Sequence, residues 1–285
     1  MTTSQNRKVS VIVPNYNYGK YIKKRIDSIR KQTYPIYELI ILDDASTDGS
    51  VEQLKEMVLD MKMKCPEMRV RFVGNTKNSG KAMVQWKKGF ELAEGDFVWI
   101  AEADDLSNRK FLEEVMKAFD DPEVVLSYTE SMIVNGAGLM IVPNFRWSRD
   151  KERTGHFRNS YVKKGEDEIR EIMAIRCTIP NVSGVVFRKK TVKMKDLEKA
   201  IEFTQVGDWY LYLKLLEDGK IAYNRKSLNR FRIHGGSATE RGKKHYEEVV
   251  RIHEQIKKEY KLDKRVLEAI EVEEKRIRDK YGIIK

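Results

Sequence analysis

The chain has 285 residues, 41% of them hydrophobic and 35% charged, with a net charge of +11, enough to bury a sizeable core; no apolar run approaches the ~18 residues of a membrane span. Residues 1–8 run into a strand without the apolar stretch of a secretory leader, so a cytoplasmic protein is expected, and Cys65 and Cys177 lack the spacing of a zinc site or disulfide framework. The surplus charge favours anionic partners, but it is spread over Arg7–Lys31, Arg146–Lys195 and Lys220–Arg232 rather than gathered in a tail, so nucleic acid is not expected.

Val9 to Pro14 is a β-branched run closed by proline, and Asn15 to Gly19 supplies turn chemistry. Ile22, Ile26 and Ile29 then recur at helical spacing. Glu38 to Leu42 is a second buried strand ending on Asp43-Asp44, followed by a helix from Val51 to Lys64, a strand over Arg69–Val73, a polar loop over Asn75–Gly80 and a helix from Lys81 to about Ala93. Phe97-Val98-Trp99-Ile100 is a strand that stops on Glu102-Ala103-Asp104-Asp105, and a helix over Asn108–Phe119 and a strand over Val124–Tyr128 follow. This alternation predicts an α/β fold with a mostly parallel, doubly wound sheet.

Beyond Glu130 the pattern loosens, and the basic, aromatic stretch from Asn144 to Lys164 reads as a long loop. A helix is expected over Glu166–Arg176, a strand over Val182–Phe187, a helix opening at Val206-Gly207-Asp208-Trp209 with Asp208 as its N-cap, and two short strands over Ile221–Asn224 and Ser227–Ile233. From Arg241 onward, Val249, Ile252, Ile256, Tyr260, Val266 and Ile270 mark a helical hairpin.

Two strands thus end in acids at the edge where open α/β sheets bind ligands. Three carboxylates in four residues repel one another, and their ionised state makes sense with a cation among them. Glu102 and Asp104, two apart on extended backbone, point to one side, and carboxylates with diphosphate oxygens are hard ligands suited to Mg²⁺ or Mn²⁺. Neither Gly-x-Gly-x-x-Gly nor a Walker A loop is present, which disfavours a dinucleotide oxidoreductase or a P-loop enzyme.

Val9 to Asn17, Ile41 to Ser50, Asn78-Ser79-Gly80 and Ala93 to Asp105, in that order, closely resemble the family 2 glycosyltransferases of the GT-A fold. The likeness is strong over roughly residues 8–130 and fainter through Gly207-Asp208-Trp209 and Arg230 to Ser237. It implies a metal-dependent enzyme, using Mn²⁺ or Mg²⁺, that moves a sugar with inversion from a nucleotide-diphosphate donor, first of all a UDP-sugar, to a hydroxyl of a glycan or lipid-linked acceptor in bacterial surface polysaccharide or glycan synthesis. By position, Pro14, Tyr16 and Asp44 would line the base and ribose pocket, with Tyr16 stacking and Asp44 accepting from the base. Asp43 would be structural, and Lys77 or Lys81 would be the basic residue near the donor. Glu102, Asp104 and Asp105 match the family's Asp-x-Asp metal motif, with glutamate in place of the first aspartate. Asp208 would be the catalytic base, although the family usually has Glu-Asp where this chain has Gly207-Asp208; Glu202 is a distant second candidate. Arg232 and His234 match an Arg-x-His segment that would close over the diphosphate with Arg230 and Ser237, and Phe145 to Lys164 would form a lid.

The expected organisation is a nucleotide-sugar core over residues 1–130, an acceptor-side region with the base over 131–240, and a helical extension over 241–285. That extension would pack on the core, mediate a homo-oligomer or rest on anionic headgroups at the inner face of the membrane. A sugar-phosphate nucleotidyltransferase would share the sheet and the acids, but needs a Gly-rich basic loop that Asn15 to Gly19 does not supply. A basic adaptor binding polyanions or membrane would have no use for Asp104.

Overall fold

The computed structural model describes residues 7–150, 155–235 and 242–283. The strands Val9–Asn15 (β1), Glu38–Asp43 (β2), Arg69–Gly74 (β3) and Phe97–Ile100 (β4) pair in parallel in the order β3-β2-β1-β4. β1, β2 and β4 are buried along their whole length, as near-continuous apolar strands must be when helices cover both faces. The helices Gly19–Arg30 (α1) and Ser50–Lys64 (α2) pack Ile22, Ile26, Leu54 and Val58 against Val11, Leu39 and Trp99 on one face. Ala82–Leu92 (α3) packs Met83, Trp86 and Phe90 against Ile12, Ile40 and Val98 on the other. The approach of α3 to β1 requires a glycine, because a Cβ on Gly89 would lie 2.5 Å from the Ile12 side chain.

The second half departs from the expected parallel order. Its strands are Leu106–Ser107 (β5), Val124–Val134 (β6), Met140–Val142 (β7), Tyr161–Lys164 (β8), Val185–Arg188 (β9) and Lys220–Arg232 (β10). β9 inserts antiparallel between β4 and β6, and β10 runs parallel to β6, giving β3-β2-β1-β4-β9-β6-β10-β5 with β7 on β6 and β8 on β10. The sheet is therefore mixed. The two short strands expected over 221–233 are one strand, bulged between Asn224 and Ser227.

The helices of this half are Phe111–Met116 (α4), Arg146–Arg149 (α5), Gly165–Glu168 (α6), Met194–Ala200 (α7), Gly207–Leu216 (α8), Lys243–Glu259 (α9) and Lys264–Lys280 (α10). The helix expected over 166–176 is the single turn α6 followed by a π turn over Ile169–Met173, and α7 carries no signal strong enough to have been expected. The described part of the stretch expected as a lid is packed down. Phe157 is 1% exposed, and the Arg149 guanidinium, which pairs with fully buried Glu130, stacks 3.9 Å from the Phe157 ring centroid. Its residues 151–154 lie outside the described residues. α9 and α10 pack on the core, contributing Val249, Ile252, Ile256 and Ile270 to the α3 side. Fully buried His253 ties them in, reaching Glu274 at 2.9 Å and the Ile175 carbonyl at 3.1 Å. No described helix is long and apolar enough to cross a membrane.

Candidate active site

The parallel register decides what meets at the carboxyl edge. Asn15 lies opposite Asp43, and beyond β4 the Ala101 N–H still donates to the Ile12 carbonyl, so Tyr16, Asp44 and Glu102 all leave the sheet at one edge. Asp43 holds its own turn, accepting from Asn15 Nδ2 at 2.7 Å and from the Ser46 hydroxyl at 2.7 Å. Asp44 is 4% exposed and accepts from Asn75 Nδ2 (2.6 Å), Gln85 Nε2 (2.8 Å), and the Ser79 N–H (3.0 Å) and hydroxyl (2.7 Å). The expectation that Asp44 receives a base N–H thus meets a carboxylate already satisfied by Asn75 and Ser79 of the following loop and by Gln85 of α3, which it holds together. Pro14 is buried within β1, whereas the Tyr16 ring stands 46% exposed at the strand end. Lys77 is exposed on the same loop. Lys81 corrects the expectation, since its ammonium donates to the Ile201 carbonyl and fastens α3 to the end of α7.

The three acids after β4 have three different surroundings. Glu102 is largely enclosed, accepts from the Trp86 indole N–H at 2.7 Å, and donates its backbone N–H to the Ser183 hydroxyl. Burial, and next the negative charge of Asp104, push its carboxyl up to about 8. Asp105 is 1% exposed and accepts from the Arg232 backbone N–H (2.9 Å) and Asn181 Nδ2 (3.0 Å); burial, then Asp104, pushes its pKa up as well. Asp105 therefore ties β10 to the strand end, which is not the disposition expected of a metal ligand. Asp104 alone brings its carboxylate to the cleft surface, with 15% of the side chain exposed, where His234 Nε2 lies 3.0 Å from Oδ2. The Tyr18 hydroxyl also bonds to Asp104, and burial, then the Asp104 charge, pushes that phenol up.

Two buried arginines stand behind the acids. Arg25, fully buried, donates to the Ser107 hydroxyl at 2.8 Å and lies 4.9 Å over the Trp99 ring; burial lowers its pKa to about 10 despite the acids nearby. Arg232 is 1% exposed, and its guanidinium donates to the carbonyls of Asp104 (2.6 Å), Asn135 (3.1 Å) and Gly136 (2.8 Å). Its Nε and Nη1 are taken by backbone carbonyls while Nη2 has no partner among the described residues, so the buried guanidinium positions the acid turn from behind, where the expectation had it closing over a diphosphate. His234 does face the cleft acid, edged against the Tyr21 and Tyr18 rings. Gly236 and Ser237 lie outside the described residues.

Among the described residues no three His, Cys, Asp or Glu side chains are arranged to hold a metal ion by themselves. Mg²⁺ and Mn²⁺ sites that include a substrate diphosphate need only one or two protein carboxylates. Asp104, open to the cleft and two residues from Glu102, fits that smaller donor set.

Asp208 lies in the first turn of α8, one residue inside the helix rather than at its N-cap, and its Oδ1 accepts the Trp209 N–H at 2.8 Å. Burial pushes its carboxyl up to about 6, offset only by backbone N–H groups, while part of the side chain still reaches the surface. The Tyr212 hydroxyl senses both Asp208 and Glu102, which links the helix start to the acid turn. Gly207, where the resemblance would have glutamate, has no room for a side chain, because a Cβ would sit 2.6 Å from the Ala200 carbonyl and 3.2 Å from Met83 Cγ. Glu202, the second candidate, is exposed and salt-bridged to Lys199 and Arg251. Sequence reasoning missed Tyr18, Arg25, Trp86, Asn181 and Ser183. The one available signal was a polar Arg25 on the apolar face of α1.

A family model described as Glycosyl transferase family 2 matches residues 10–174. An uncharacterized glycosyltransferase of Nostoc sp. is 26% identical over 235 residues, covering 81% of this chain and 66% of that protein. The putative teichuronic acid biosynthesis glycosyltransferase TuaG of Bacillus subtilis is 34% identical over 121 residues, 42% of this chain and 45% of that protein. The chain spans between 22% and 66% of the length of the curated relatives it matches. Among solved structures, Staphylococcus aureus TarS 1-349 in complex with UDP-GlcNAc superposes with a TM-score of 0.66 at 20% identity, covering 96% of this chain and 71% of that one. The mannosyltransferase PcManGT from Pyrobaculum calidifontis, in complex with GDP-Man and Mn²⁺, gives 0.63 at 18%, covering 95% and 70%.

Proposed function

The chain belongs to glycosyl transferase family 2, and we propose that it transfers a sugar, with inversion, from a nucleoside-diphosphate donor to an acceptor hydroxyl in the assembly of a bacterial surface polysaccharide or glycan. The observation that carries this reading is Asp208, a carboxyl raised to about 6 by burial, with no cation among the described residues to offset it, at a helix start near the acid turn. A base for this step needs a pKa close to the operating pH and a free lone pair. Asp208 accepts the proton of the acceptor hydroxyl as that oxygen bonds to the anomeric carbon. The bond from that carbon to the donor's diphosphate oxygen breaks, and its electron pair leaves with the diphosphate.

On the donor side, the exposed Tyr16 ring offers a stacking face for the base, above a wall fixed by Asp44. Asp104 and Glu102 would hold a divalent metal, with Asp105 and Arg232 keeping the turn in place. Such an ion, when bound, supplies positive charge to the departing diphosphate. His234, 3.0 Å from Asp104, orients that carboxylate towards the cleft. TarS with UDP-GlcNAc and PcManGT with GDP-Man and Mn²⁺ support a nucleotide-sugar donor and a divalent metal on this fold. A thermal-shift panel of nucleoside diphosphates with and without Mn²⁺ tests the reading. The expected result is stabilisation by one nucleotide that requires metal and is lost in Asp104→Ala; no response to any nucleotide refutes it.

A further inference from the structure

The β6–β7 hairpin carries a feature that sugar transfer does not use. Nine large apolar side chains stand well exposed among the described residues, and four of them gather here: Leu139 (67%), Met140 (61%), Ile141 (57%) and Ile233 (48%). They are contiguous. Val134 pairs with Met140 on one side, and on the other it faces Arg232 and accepts the Ile233 N–H. β7 is an edge strand of three residues, and edges left open in soluble proteins are normally blunted with charge or proline. This one presents Leu, Met and Ile in succession, so alternate residues expose apolar surface on both faces of the ribbon.

The ribbon rises from the rim of the cleft. The position of a Cβ on Gly136 would be 3.7 Å from the Tyr21 hydroxyl and 4.0 Å from His234 Cβ, and Gly138 abuts the Arg232 guanidinium. Beside it α1 begins, and Lys20, Lys23 and Lys24 in its first two turns are exposed and make no ion pair among the described residues. Lys20 lies 5.5 Å from the centroid of the same Tyr21 ring.

We propose that this hairpin docks the protein on an anionic lipid bilayer, with Leu139, Met140, Ile141 and Ile233 entering the headgroup boundary and the α1 lysines resting on the lipid phosphates. A ribbon apolar on both faces suits a medium that surrounds it, whereas a protein partner would ordinarily cover one face. Unpaired lysines flanking an apolar wedge are the charge complement of an anionic leaflet. Docked in this way, the cleft opens at the bilayer surface, where an acceptor anchored in lipid would present its hydroxyl. That last consequence rests on the glycosyl-transfer reading; the docking itself does not.

The test is co-sedimentation of the purified chain with phosphatidylglycerol vesicles and with phosphatidylcholine vesicles, with no donor or acceptor present, so its outcome is separable from that of the nucleotide panel. Binding is expected to phosphatidylglycerol and to weaken with salt. It should fall more than tenfold in the double variant Met140→Glu/Ile141→Glu and about fivefold for each of Lys23→Ala and Lys24→Ala. Leu59→Glu, an equally exposed apolar position on α2 (63%), should bind as the parent does. All these sites are exposed, so unchanged melting temperatures would show the variants folded. Absence of binding to phosphatidylglycerol, or equal binding by the hairpin double variant, overturns the proposal. So does a dimer on gel filtration that Met140→Glu/Ile141→Glu converts to monomer, since the edge would then be covered by a second copy.

Discussion

Asp208→Asn should abolish transfer and, above pH 6, make the protein more stable. A carboxyl at about 6 in the folded chain, against an ordinary value of 3.8, holds a proton between those values that the unfolded chain has already released. Stability from this group is therefore present at low pH and lost as pH rises through that window. The full difference corresponds to about 3 kcal/mol at pH 7.5. Part of the Asp208 side chain still reaches the surface, so about 1–2 kcal/mol is the expected gain on removing the charge, or about 2–5 °C in melting temperature. The amide keeps an oxygen to accept the Trp209 N–H, so little geometry is lost. Melting curves of parent and variant at pH 4 and at pH 7.5 give the comparison: the curves should nearly coincide at the lower pH and separate at the higher. Activity should fall 10²–10⁴-fold, and parental kcat/KM should drop about tenfold per pH unit below about 6. A variant no more stable than the parent at pH 7.5, or one retaining a tenth of the activity, would refute the assignment of Asp208 as the buried base.

Tyr16→Ala should weaken nucleotide binding by about 1–3 kcal/mol in isothermal titration calorimetry, the worth of a base stacked on an aromatic ring, and leave the melting temperature unchanged because the ring is exposed. Arg232→Lys should cost about 2–4 kcal/mol in urea denaturation, because a point ammonium cannot serve the three carbonyls that the guanidinium reaches. Gly207→Glu, which restores the residue the resemblance would have, should destabilise the chain by more than about 2 kcal/mol in the same assay, since its Cβ would sit 2.6 Å from the Ala200 carbonyl.

The strands that build the donor edge were legible because a strand buried on both faces needs an unbroken apolar run, and two of those runs, β2 and β4, stopped on acids. The antiparallel insertion of β9 was not legible. Its apolar stretch looks the same whichever way its neighbours run, and only a pairing partner some 90 residues away in sequence gives it direction, Phe97 opposite Arg188. Asp208 was singled out through its neighbours in sequence, and the fold buries its carboxyl at the start of α8. Asn181 and Ser183 were not, because a side-chain amide or hydroxyl bonding to an acid about 80 residues earlier leaves no local pattern. The error at Arg232 has the same origin. Arginine beside histidine reads as a cation waiting for phosphate, and only the fold supplies the three carbonyls that occupy it.

Arg25 and Arg232 also bear on how the Asp104 carboxylate stays directed at the cleft. Both are buried beside the turn, yet Arg232 gives Nε and Nη1 to backbone carbonyls with Nη2 left without a partner, and Arg25 donates to Ser107 with Nε and one terminal nitrogen left without partners among the described residues. Neither makes a hydrogen-bonded pair with a carboxylate. The positive charge of Arg25 favours the ionised form of Glu102, but burial and Asp104 outweigh it and leave that carboxyl raised to about 8. Had either arginine formed a bidentate pair with Asp104, a cation bound there would have to displace it. Holding the arginines behind the turn keeps the Asp104 carboxylate directed at the cleft, where a divalent ion carried in with a diphosphate would meet it.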